Sequence, residues 1–150
     1  MSLEIQLKQK HFKNEQTKAG INILFTAAYL NNYQGPIFKR YGLTVAQYNL
    51  LRILKGQLPN SASINLLIDR MLDKNSNASR IVEKLRVKNL VERIQNPDDR
   101  RAVNVTITEK GIQLIAKMDA TELELFGGLN NLTDEQAEML NDLLDKARTK

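Results

Sequence analysis

The sequence predicts a mainly α-helical chain with one small β-hairpin. Three observations predict it: apolar residues recur at helical spacing over most of the length, strict alternation marks VNVTI at 103–107, and NPDD joins that stretch to VERIQ before it. Two short, closely linked helices precede the hairpin, so the order is that of a helix-turn-helix followed by a β-wing. With 150 residues, 42% of them hydrophobic, the chain has the size of one domain and the means to build a core.

The elements follow in chain order. Residues 12–33 put Ile21, Leu24, Phe25, Ala28 and Tyr29 at helical spacing, and Gly35-Pro36 is expected to break that first helix. Thr44 and Gln47 have capping-box spacing ahead of Val45, Tyr48, Leu51 and Leu54, and Gly56 and Pro59 stop this second helix. Ser63 caps a short helix with Ile64, Leu67, Ile68 and Met71 inward. Asp73 or Asn75 then caps another, which runs to about Asn89, where asparagine suits a left-handed end. Val103, Val105 and Ile107 alternate with Asn104 and Thr106, and the Asn-Pro turn returns the chain from VERIQ. Thr108 caps a helix through about Phe126, Gly127-Gly128 interrupts it, and Thr133 with Gln136 forms a second capping box before Ala137, Leu140, Leu143, Leu144 and Ala147. No repeat, low-complexity tract or linker divides the chain.

Charge is unevenly distributed. Residues 70–101 hold nine Lys/Arg against five Asp/Glu and residues 1–69 eight against three, whereas residues 102–150 hold five against nine. The first two stretches suit a polyanionic partner and the last does not. The absence of cysteine excludes disulfides, thiol redox chemistry and thiolate metal sites. Glu4, Gln6, Lys8, Gln9 and Lys10 interrupt the apolar residues of the N-terminus, unlike a signal peptide, and no apolar run suits a bilayer; a cytoplasmic protein without a membrane partner is expected.

The candidate site lies on the second helix of the pair and on the wing. Ala78, Ile81, Val82 and Leu85 form its inward stripe, while Asn77, Arg80 and Lys84 share another face, with Asn75, Ser76 and Ser79 near its start. Arginine pairs bidentately with guanine and asparagine with adenine, serine adapts to either, and lysine meets phosphate. A merely solvated amphipathic helix has the same spacing; the hairpin after it is what points to duplex DNA. Arg100 and Arg101 open the return strand beside Asp98 and Asp99, where a guanidinium can enter a narrow minor groove and a carboxylate can fix its rotamer. Charges that only keep a sheet edge soluble would look alike. Catalysis is not expected: there is no glycine-rich phosphate loop and no HExxH, and His11 is the only histidine, so no metal or cofactor is assigned.

The run SRIVEKLRVKNLVERIQNPDDRRAVNVTITEKG resembles the signature of the MarR family of bacterial winged-helix regulators. Leu85, Leu90, Asp99, Arg101, Thr108 and Gly111 match in register, while Asn89 stands for the usual glycine and Ile107 for the usual leucine. The resemblance implies a homodimer: residues 1–36 and 112–150 would form a helical dimerisation region, and residues 37–111 the winged helix that binds a pseudo-palindromic operator. Leu123, Phe126, Leu129, Leu132, Leu140 and Leu143 agree, being more apolar surface than a small winged helix needs. It further implies a transcriptional regulator, commonly a repressor, released from DNA by a small anionic or phenolic ligand. Tyr29, Tyr33, Tyr41 and Tyr48 are the candidate ligand wall, although aromatics at helical spacing also serve a core. Lacking cysteine and with a single histidine, the chain departs from the peroxide- and zinc-sensing branches. The alternative is a non-catalytic winged-helix module that docks an acidic protein.

Overall fold

Leu50, Leu51, Ile53 and Leu54 are all buried within little more than one turn of α3 (Val45–Gln57), covering too much of its circumference to face a single neighbour. The end of the helix before it, the short helices after it, the sheet and the helix after the wing close around this helix. The computed structural model describes residues 2–96, 99, 102–119 and 122–149, without the side chains of residues 122 and 123. After α1 (Leu3–Leu7), α2 (Glu15–Arg40) and α3 come β1 (Ala62–Ser63), α4 (Ile64–Arg70) and α5 (Ala78–Val87). Then follow β2 (Val91–Gln95), β3 (Val103–Ile107), α6 (Glu109–Asp119), α7 (Glu122–Leu125), a 3-10 turn at Gly127–Asn131, and α8 (Asp134–Arg148).

The three strands form an antiparallel sheet in the order β1-β3-β2, with Val91 opposite Ile107, Arg93 opposite Val105, and Ala62 on the other side of Val105. Leu67 and Met71, Val82 and Leu85, Val91 and Val105, and Ile115 and Met118 bring α4, α5, the hairpin and α6 onto α3, while Leu125 of α7 joins the same core from its place on α2. The expected hairpin, both capping boxes and the Ser63 cap are present. Strand β1, at two residues, is too short to show an alternation, and α1 was not expected; α1 rests on buried Leu3 and on Lys18 Nζ, 2.6 Å from Glu4 Oε1.

Two expectations need correction. The first helix does not break at Gly35-Pro36 but runs through to Arg40. An interior proline costs about 3 kcal/mol. Ile37 and Phe38, both buried beyond it, offset that with roughly 1.5–3 kcal/mol each. The helix of the candidate site is capped neither by Asp73 nor by Asn75 but by Asn77, whose side chain accepts the Arg80 N–H at 2.9 Å. It ends at Val87, and Asn89 takes the expected left-handed conformation with φ 58°. The helix expected after the wing to about Phe126 is helical at Glu109–Asp119 and at Glu122–Leu125, with residues 120 and 121 outside the described residues. Asp119 is held to Arg52 and Lys55 of α3, and α7 is held to α2 by buried Gln34, whose Nε2 donates to the Leu125 carbonyl at 2.9 Å. Among the described residues no helix is long and apolar enough to cross a membrane.

Candidate nucleic-acid interface

Helix α5 presents its polar face because its apolar face is fully used. Ala78, Val82 and Leu85 are buried and Ile81 is packed beside them, so Ser79, Arg80 and Lys84 point to solvent. Asp73 organises the turn ahead of it, accepting the Asn75 N–H at 2.9 Å through Oδ1 and the Ser76 hydroxyl at 3.3 Å through Oδ2. Asn49 of α3 accepts the Leu72 N–H at 3.0 Å, seating this turn on the core. Ser76 is therefore committed to the turn and half-buried, and the Asn77 carbonyl group to the cap. The Asn77 amide nitrogen stays available as a donor.

The helix also carries a carboxylate, which arginines neutralise. Glu83 receives Arg86 Nη2 at 2.8 Å and lies 3.5 Å from Arg93 Nη2 of β2. The Arg86 guanidinium beside it holds the Glu83 carboxyl below its usual range, and Glu83 raises Arg86 in return. Glu83 consequently ties the helix to the wing instead of opposing a polyanion with a free charge. Lys88 Nζ donates to the Gly42 carbonyl and to Gln47 Oε1, fastening the end of α5 to the junction of α2 and α3. Sequence reasoning missed Glu83, Arg86, Lys88 and Arg93 as parts of the site; a signal was present in Lys84 and Lys88, four residues apart. An open groove of about 550 Å³, lined among others by Lys39, Leu43, Lys84, Val87 and Lys88, runs along this junction.

At the wing, the Asn96 N–H donates to the Ala102 carbonyl at 3.1 Å and the Ala102 N–H to the Asp99 carbonyl at 3.0 Å, leaving Asp99 exposed. Asp98, Arg100 and Arg101 lie outside the described residues, and with them the expected pairing of Asp99 to Arg101. The four tyrosines do not gather into one wall. Tyr29 and Tyr33 stack with centroids 6.2 Å apart, Tyr48 packs on Phe38 at 5.0 Å, and Tyr41 lies against the core. Tyr29 borders a small groove of about 190 Å³ with Leu3 and Phe25. Among the described residues no group of three His, Cys, Asp or Glu is placed to hold a metal.

The MarR family model matches residues 41–102, which takes in the helix pair and the wing. The chain is 31% identical over 110 residues to the HTH-type transcriptional repressor IacR of Pseudomonas putida, a match covering 73% of this chain and 65% of that protein. Over 131 residues it is 28% identical to the HTH-type transcriptional regulator MhqR of Bacillus subtilis (strain 168), covering 83% and 86%. Its fold matches a cysteine-to-serine mutant of MarR from E. coli complexed with operator DNA, with a TM-score of 0.78 at 23% identity over 93% of this chain and 100% of that one.

Proposed function

We propose that the chain, which is similar over residues 41–102 to the MarR family model, is a transcriptional regulator that binds double-stranded DNA as a homodimer on a pseudo-palindromic operator and represses by occluding a promoter. The observation that carries this reading is the exposed Ser79, Arg80 and Lys84 on a helix whose other face is locked into the core, with Asn75 exposed in the turn ahead of it and the hairpin beside it. A major groove admits such a helix, and those side chains offer both base-edge and phosphate contacts. Dimerisation is supported by α8, which buries none of its own side chains in the protomer and leaves Met139, Leu140 and Leu143 exposed. Two such reading heads about one helical turn apart require an inverted repeat.

A small anionic or phenolic effector is part of the same reading. The stacked, half-exposed Tyr29 and Tyr33 are its first candidate contacts, more so than Tyr41 and Tyr48, which are engaged in the core.

The test is selection of duplexes from a randomised pool followed by titration of the enriched sequence at several salt concentrations. An inverted repeat bound two protomers at a time, with affinity falling steeply as salt rises, is the expected result. Enrichment of no sequence, together with capture of an acidic protein by the same basic face, would replace regulation with protein docking.

A further inference from the structure

Beyond the last residue paired to β1, the hairpin is only two strands wide. Asn104 stands at that limit, paired with Ser63 of β1 on one side and Ile94 of β2 on the other. Asparagine is a poor strand former, and valine or threonine would serve the sheet better. Its two amide atoms instead make opposite connections. Nδ2 donates to Ser61 Oγ at 2.9 Å, and Oδ1 accepts from Asn96 Nδ2 at 3.3 Å. Asn96 Oδ1 in turn accepts the Asp99 N–H at 3.2 Å.

These three bonds form a line from the loop ahead of α4 to the tip of the wing. Ser61 lies two residues before Ser63, the cap of α4, and α4 is the first helix of the pair. We propose that Asn104 is a positioning residue, which fixes the wing tip relative to the helix-turn-helix by joining Ser61 to Asp99 through Asn96. The inference rests on the DNA-binding reading, and it adds to the Glu83–Arg93 tie nearer the base of the wing a second link that reaches Asp99, so that the two parts that must enter adjacent grooves keep a fixed angle. An isolated two-stranded hairpin is marginal in water and would sample many angles. Ordering it before contact spares the complex that loss of freedom. No apolar side chain can do this, because the link needs a donor toward the Ser61 oxygen and an acceptor toward the Asn96 amide.

Two variants break the line at different points. Asn104→Val keeps or improves the strand, and Ser61→Ala leaves Asn104 in place. In the protein alone, amide hydrogen exchange at Asp99 should quicken about tenfold in both, with the thermal midpoint unchanged. On the duplex the wild-type protein enriches from a randomised pool, affinity should fall roughly five- to tenfold, the scale of one lost ordering contribution. Hydroxyl-radical protection should fade at the flanking minor grooves and persist in the central major groove. Unchanged exchange at Asp99 would overturn the link itself. Quickened exchange with unchanged affinity and footprint would confine Asn104 to a structural role and overturn the positioning. Enrichment of no duplex by the wild type would remove the DNA-binding reading and the positioning with it, while the exchange measurement would still show whether Asn104 holds the tip.

Discussion

A Cβ built on Gly111 would lie 2.4 Å from the Leu90 carbonyl oxygen and 2.7 Å from Ile107 Cγ1. The first turn of α6 touches the sheet there, and the Thr108 hydroxyl clasps the same junction, donating to the Asn89 carbonyl at 2.8 Å and accepting the Gly111 N–H at 3.1 Å. Gly111→Ala should therefore destabilise by about 1–3 kcal/mol, read as a lower denaturation midpoint. Asn89 is the reverse case: its φ of 58° strains any residue with a Cβ, so Asn89→Ala should cost about 1–2 kcal/mol while Asn89→Gly folds at least as well. For function, Arg80→Ala should lose about 1–3 kcal/mol at one base position, whereas Lys84→Ala should weaken all duplexes alike and flatten the salt slope by about one unit. Equal specificity ratios for both variants and the wild type would show Arg80 misassigned. Caps such as Thr44 and the left-handed Asn89 were legible because each is locally determined, whereas Gly111 stood out only through the family resemblance, its approach to Leu90 being a product of the fold. Glu83 with Arg93 and Lys88 with Gly42 were not legible, since such pairs join residues that only the folded chain brings together.

The elements were legible where packing and propensity agree, as in the two capping boxes and the hairpin. They misled where packing overrides a local breaker, as at Pro36. The join of α2 and α7 carries a prediction of its own. Gln34→Ala leaves the Leu125 carbonyl without its donor in a buried site, which should cost about 1–3 kcal/mol by chemical denaturation. The attachment of α1 to α2 should depend on pH. The Lys18 ammonium holds the Glu4 carboxyl down to about 2 from an ordinary value of 4.5. A carboxyl whose folded value is depressed stabilises above its unfolded value and loses that contribution as pH falls through the folded one. The attachment should thus be complete above about pH 4.5 and fade toward pH 2, with Lys18→Met moving the Glu4 midpoint upward in an NMR titration.

At the scale of the whole molecule, the sequence showed too many leucines for one small core, but only the fold shows which ones a lone protomer leaves exposed. Leu140 is 37% and Leu143 59% exposed, so replacing both by lysine should leave the protomer folded. Light scattering should then report half the wild-type mass, and duplex affinity should fall by at least an order of magnitude as the two linked half-sites become independent. A monomeric wild type would end the dimer reading. The 26 residues of α2 reach about 39 Å, and its last turns run from the stacked Tyr29 and Tyr33 to Ile37 and Phe38 in the core against which α5 packs. Pro36 lies between them and supplies no N–H to the Asn32 carbonyl, so the rod is most compliant at that point. A small flexure there, where the aromatic pair ends and the core begins, would swing α5 through an arc, and the Gln34–Leu125 hydrogen bond, which spans the bend, would resist it.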